Sequence, residues 1–332
     1  MRKMVFGILV VALSVLFAVS GWAAETVKIR MAGQSPMEHQ ATKHQFEFKE
    51  AIEKQSGGRF EIKVYPANQL GDYTQVYEEI MRGTLEMALI NIPSQFDQRL
   101  ELTYVPYLVE NYDQVKTFFA PDGFIVRALG SIHEKLGVKL LGFNIEGLGG
   151  FATTVPVENA ADPKAKKNVL LRVPPMDVFK LHADDLGYTT ISVPYAELYT
   201  ALQTGVAQGW SGGPPVLTYL SFRDVIKNYY QYNSHLESEC WLINKNLWDS
   251  FSPEDQKMFM DVIAGLQAKS TEIAQQDDTE YLEKMREAGI AVNTFSNEEL
   301  AALADYTRET TWPRLRDRLT PEIMDELAKQ YQ

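Results

Sequence analysis

Alternating apolar and polar positions mark residues 27–32 as a strand, and residues 38–55 then have helical composition until Gly57 and Gly58 end it. A second strand is predicted at 60–65. The turn at 66–72 leads into a helix over 73–82, and 85–92 reads as a third strand. Strand and helix alternating at this short spacing predict a parallel sheet with helices on its faces, so the first part of the chain is α/β.

The apolar run 138–145 reads as another strand. It passes directly into Glu146, Gly147, Leu148, Gly149 and Gly150, where glycine permits unusual backbone angles and a change of direction. A first crossing between lobes is expected there. A second α/β unit follows, with strand 168–173, helix 176–186, strand 189–193 and helix 195–204 ended by Gly205. Residues 240–243 read as a strand returning to the first lobe. The last third is helical: Ser252, Pro253 and Asp255 form a helix start, and Met258, Phe259, Val262, Ile263 and Leu266 supply an apolar face. Ser296 and Glu299 form a capping box, and Thr320 with Pro321 opens a terminal helix.

Arg2 and Lys3 precede an apolar run over 5–19 and the small residues around Ala23, the pattern of a secretory signal peptide cut after Ala23. The run is shorter than the about 20 residues a spanning helix needs. No cysteine lies near the cut to carry a lipid. The formal charge is −12, more negative once Arg2 and Lys3 leave, which argues against nucleic acid or anionic membrane as partner. Cys240 is the only cysteine, so no intramolecular disulfide can form. Stability must come from a core, and 332 residues at 45% hydrophobic suggest two lobes.

Gly209, Trp210, Ser211, Gly212 and Gly213 match G-x-S-x-G, the nucleophile turn of serine hydrolases. That turn needs an apolar strand before it and a helix after it, whereas 195–204 reads as helix and Pro214 and Pro215 follow at once. The only histidine beyond Ser211 is His235. None of His39, His44, His133, His182 and His235 has the i, i+4 spacing with glutamate of a helical zinc site, so they read as surface or core residues. The glycines at 147–150 lack the following helix of a dinucleotide turn.

Arg172 interrupts the apolar strand Val169, Leu170, Leu171, Val173. A buried guanidinium needs an anion, and its planar fork matches a carboxylate. On the strand pattern alone it either meets a fixed Asp or Glu, reaches solvent, or binds a ligand. Trp210 among glycines and Tyr195 at a helix start are either core or flat walls of a pocket.

The sequence becomes specific at Leu171-Arg172-Val173-Pro174, at Leu186-Gly187, and along Ala196-Glu197-Leu198-Tyr199-Thr200-Ala201-Leu202-Gln203-Thr204-Gly205-Val206. Together with Tyr65-Pro66, Gln69-Leu70-Gly71-Asp72 and Pro106-Tyr107, this resembles the solute-binding subunits of tripartite ATP-independent periplasmic (TRAP) transporters, the DctP-like family. The resemblance covers essentially the whole mature chain. It implies an α/β two-lobe periplasmic-binding-protein fold with a hinge and a long bracing helix. One lobe is expected at 24–149 and 238–277, the other at 150–237 and 278–332. It also implies that Arg172 pairs with the ligand's carboxylate, that Gln34, Tyr73 and Asn91 line the pocket from the first lobe, and that Phe151, Tyr195, Trp210 and Gly212 line it from the second.

Sialic-acid-binding members have a second arginine where this chain has Phe151 and an asparagine where it has Gly212. Members that bind oxo acids through a metal have an acid where this chain has Gly209. The expected ligand is therefore an apolar or aromatic monocarboxylate, bound without metal or cofactor. The resemblance implies a periplasmic monomer that closes on its ligand and delivers it to an ion-gradient-driven permease. The rival readings are a secreted serine esterase using Ser211 and a ligand-sensing subunit for a membrane receptor.

Overall fold

The computed structural model describes residues 26–331. The expected signal peptide lies outside the described residues. Among these, nine strands join in one sheet: β1 (Val27–Gly33), β2 (Phe60–Tyr65), β3 (Met87–Ile90), β4 (Val138–Thr153), β5 (Leu170–Val173), β6 (Thr189–Ser192), β7 (Gly209–Ser211), β8 (Asn228–Asn244) and β9 (Ala291–Asn293). Their order is β2-β1-β3-β8-β4-β7-β5-β6, with β9 on the free stretch of β8.

Two long strands carry both lobes. β4 and β8 run antiparallel from Val138 opposite Asn244 to Thr153 opposite Asn228. At the Val138 end β8 also pairs with β3, and through it with β1 and β2. At the Thr153 end β4 pairs with β7, which leads to β5 and β6. Each lobe keeps parallel strands joined by helices, Gln40–Gln55 between β1 and β2 and Asp177–Asp185 between β5 and β6.

The stretch Glu146 to Gly150 does not change direction. It stays within β4, whose register slips between Leu140 and Gly142, Ile145 and Gly147, and Gly149 and Phe151. Such bulges bend a strand without ending it, and Gly147 takes a φ of +138° that other residues avoid. The freed N–H groups find acceptors on the helix Pro253–Glu287. Gln267 Oε1 accepts from Phe143 N at 2.8 Å, Ser270 Oγ from Ile145 N at 2.9 Å, and Asp278 Oδ2 from Leu148 N at 3.1 Å.

That helix is 35 residues long, about 50 Å at 1.5 Å per residue. Its first half packs Phe259, Ile263 and Leu266 against Phe48, Ile62 and Trp241, whereas Leu282 and Met285 join the cluster of Phe222 and Trp210. It therefore braces both lobes. Ser252 caps it by accepting from Asp255 N, and the capping box of Ser296 and Glu299 opens the helix Asn297–Leu319 as expected. Among the described residues no helix is long and apolar enough to cross a membrane.

Other differences are local. Residues 240–243 are the end of the 17-residue β8, and the third strand shortens to Met87–Ile90. The helix predicted from Tyr195 begins as a 3-10 turn, Tyr195–Glu197. Strand β7 and the helix Pro215–Phe222 arise where the pattern of the sequence marks no element.

Candidate functional site: a cleft around Arg172

A small cavity of about 50 Å³ opens between the lobes. Seven of the eight residues expected at the site border it: Gln34, Tyr73, Asn91, Arg172, Tyr195, Trp210 and Gly212. Tyr73 and Tyr195 open the helix Tyr73–Arg82 and the 3-10 turn Tyr195–Glu197. Gln34 follows β1 and Asn91 follows β3. Arg172 and Trp210 face each other as register partners on β5 and β7.

Phe151 is the exception. It is fully buried and packs edge-on against Tyr188 and Tyr232, at ring separations of 5.3 and 5.1 Å. The period-two alternation of β4 decides this, because Ala152 and not Phe151 is the register partner of Trp210. The apolar wall expected from Phe151 comes instead from Met176, Phe179 and Leu217. Pro174, Tyr104, Ser211 and Glu237 also line the cavity and were not anticipated. Pro174 and Met176 follow Arg172 directly, which is a signal that could have found them. Glu237 lies in the polar run 231–239, whose burial nothing in the sequence announces.

Arg172 is 2% exposed. Its Nε donates to Val193 O at 2.7 Å, while Nη2 is buried without a partner, and it makes no ion pair among the described residues. Burial lowers the guanidinium to about 10, against the raising influence of Tyr73, Tyr195, Asp72 and Glu237. Neither of the bland alternatives holds, since no fixed carboxylate neutralises it and it does not reach solvent. Trp210 Nε1 and Ser211 Oγ are likewise buried and unpartnered. The wall around Arg172 thus offers hydrogen-bond donors.

The facing wall is a chain of polar groups. Gln34 Nε2 donates to Asn91 Oδ1, Asn91 N donates to Gln34 Oε1 at 2.9 Å, and Asn91 Nδ2 donates to Glu237 Oε1. Burial pushes the Glu237 carboxyl up to about 7, opposed by the Asn91 hydrogen bond and by Arg172. Behind it Glu239 accepts from Ser35 Oγ at 2.6 Å and is pushed up by burial to about 8. Glu146 is raised by burial and by both neighbouring carboxyls.

Gly212 has a φ of +105°, and a Cβ there would stand 2.8 Å from the Phe179 ring. Glycine lets that ring close the cavity.

The chain matches the family described as bacterial extracellular solute-binding protein, family 7, over residues 31–312. The chain belongs to this family. It is 25% identical over 340 residues to the C4-dicarboxylate-binding periplasmic protein DctP of Rhodobacter capsulatus, covering 99% of this chain and 95% of that protein. A TRAP periplasmic solute-binding protein from Desulfovibrio salexigens, solved with bound orotic acid, superposes with a TM-score of 0.82 at 22% identity, covering 92% of this chain and 97% of that one. One from Haemophilus influenzae, solved with bound L-gulonate, gives 0.80 at 22% identity, covering 92% and 99%. These likenesses confirm the two-lobe fold.

For this solute-binding protein the hydrolase motif needs a revised reading. Ser211 does stand between a strand and a helix, contrary to the sequence expectation. Among the described residues no base is hydrogen-bonded to it. Its hydroxyl makes no hydrogen bond, and His235 Nδ1 is engaged with Ser234 Oγ at 2.9 Å. All five histidines are buried.

Proposed function

We propose that this protein captures a small organic carboxylate between its lobes through Arg172 and hands it, in the periplasm, to a membrane permease driven by an ion gradient. The observation that carries this reading is the buried guanidinium whose Nη2 has no partner. Leaving such a charge unneutralised costs several kcal/mol, which an incoming carboxylate offsets. The fork then accepts it with geometry that lysine lacks. C4-dicarboxylates, orotic acid and L-gulonate, named for three relatives, all carry a carboxylate, which supports the same anchor here.

Met176, Phe179, Leu217 and the face of Trp210 support a ligand with one carboxylate on an apolar or aromatic body. A polyhydroxylated body would leave hydroxyls unpaired against them. The lobes are taken as 24–149 with 238–277 and 150–237 with 278–332, hinged where β4 and β8 lose register. Ligand contacts from both sides stabilise the closed form over the open one, a population shift. The protein works as a monomer and does no chemistry on its cargo, so a chromogenic ester is expected to go unhydrolysed.

The test is calorimetric titration of the wild type and Arg172→Ala with carboxylates that raise the wild-type melting temperature. Loss of binding in a variant that still unfolds cooperatively supports the reading. Unchanged affinity would remove it.

A further inference from the structure

The two walls of the cleft differ in hydrogen-bonding sense. On the Arg172 side the groups without protein partners are Nη2, the Trp210 indole N–H and the Ser211 hydroxyl. On the opposite side the charged group bordering the cavity is the Glu237 carboxyl, which can only accept while ionised. Arg172 and Glu237 form no ion pair with each other, so neither neutralises the other at contact. Only Oε1 of Glu237 is engaged, by Asn91 Nδ2, and Gln34 holds that amide in place through its own two bonds to Asn91.

Two further carboxyls stand beside Glu237. Glu239 stands two residues further along β8 and so on the same face, and Glu146 lies beside them in the bulge between Ile145 and Gly147. All three are buried. His39 Nδ1 lies 3.7 Å from Glu146 Oε1. Burial holds His39 down to about 4, so it is neutral and does not compensate them. Glu239 and Glu146 are raised further than Glu237 and keep their protons first, so Glu237 is the carboxyl of the three that ionises near neutrality; a cation arriving there stabilises its ionised form, and a second anion opposes it.

We propose that the ligand is zwitterionic: its carboxylate meets the donors around Arg172, and a protonated nitrogen at its other end donates to Glu237. This rests on the carboxylate reading above and adds the second pole. It makes Glu237 the residue that selects among carboxylates. An ammonium or amidinium is accepted, a hydroxyl less well, and a second carboxylate is refused.

The experiment uses matched sets that differ only at the far group. One set is 4-(aminomethyl)benzoate, 4-(hydroxymethyl)benzoate, 4-methylbenzoate and terephthalate. The other is γ-aminobutyrate, γ-hydroxybutyrate, butyrate and succinate. Melting temperature and calorimetric affinity are read for the wild type, Glu237→Gln and Arg172→Ala. The expected result is that, in at least one set, the ammonium member binds the wild type about 10-fold or more tightly than its hydroxyl counterpart, and that Glu237→Gln removes this preference. Hydroxyl, methyl or dicarboxylate members binding as well as or better than the ammonium member in every set would overturn the inference while leaving the carboxylate reading intact. So would an ammonium preference that survives Glu237→Gln. The wild-type comparison decides even if that variant does not fold. Carboxylate binding unaffected by Arg172→Ala, or no response to any carboxylate, would instead overturn the reading of Arg172, and with it this inference.

Discussion

Arg172 and Trp210 are register partners on the adjacent parallel strands β5 and β7, so guanidinium and indole leave the sheet on the same face. The pairing gives the cleft a charged fork beside a flat ring. Replacing Arg172 by alanine removes the only cationic side chain at the cavity wall among the described residues. The expected loss of ligand affinity is about 100-fold or more, measured by calorimetry. The melting temperature should hold or rise, because a desolvated charge disappears with it. Arg172→Lys should recover only part of the affinity, since an ammonium cannot present two parallel N–H groups.

Gly213 sets the position of the indole. A Cβ there would run into the Trp210 ring edge and crowd Thr218 Oγ1 at 2.8 Å. Gly213→Ala should therefore tilt Trp210 away from its edge contact with Phe222, at present 4.9 Å between centroids. Overpacking of this kind costs about 1–3 kcal/mol of stability. Ligand affinity should fall with it, and intrinsic tryptophan fluorescence should shift. Wild-type affinity in Gly213→Ala would mean that the indole does not contact the ligand.

The buried ionisable groups predict an unusual pH profile. Burial lowers His39 to about 4, His133 and His182 to about 3, and His235 well below its ordinary 6.5. It raises Glu237 and Asp278 to about 7, Glu239 to about 8 and Glu146 well above its usual range. The histidine contribution is complete above 6.5 and is lost as pH falls through the depressed values. The carboxyl contribution is complete below the ordinary 4.5 of glutamate and is lost as pH rises through 7 to 8. Between those limits the two proton counts oppose each other. Each group contributes about 1.4 kcal/mol per pH unit, and with His44 also lowered by burial and Asp277 raised by it to about 6 the two sets, five against five, nearly cancel. Melting temperature, followed by calorimetry, should show a plateau from roughly pH 4.5 to 6.5 and fall on both sides. A steady rise from pH 4 to 8 would contradict this assignment.

Gly265 lies in the middle of the bracing helix Pro253–Glu287, on its exposed side, and a Cβ there meets nothing within 4 Å. Gly265→Ala should stabilise the protein by about 0.5–1 kcal/mol through helix propensity alone. Thermal unfolding measures this. Ligand affinity should not change, because the residue is remote from the cavity lining.

The amino-acid sequence by itself determined the local elements whose pattern is strong. The strand Phe60–Tyr65 and the helix Tyr73–Arg82 are where alternation and the turn at 66–72 put them, and the capping box of Ser296 and Glu299 starts its helix. It also singled out Arg172, because one charge in an apolar strand is conspicuous. The tertiary structure alone decided the rest. Strands β4 and β8 were only half legible, since their polar backbone irregularities are satisfied by Gln267, Ser270 and Asp278 from a helix more than a hundred residues away. Phe151 lies just beyond an irregularity in which β8 carries three extra residues between the pairs Gly149–His235 and Phe151–Tyr230, and an odd shift in register changes which faces are paired. Glu237 reaches the cleft because β8 runs unbroken between the lobes. Local pattern specifies an element's type, but which face is buried, and which polar groups meet across a cleft, depends on partners distant in sequence.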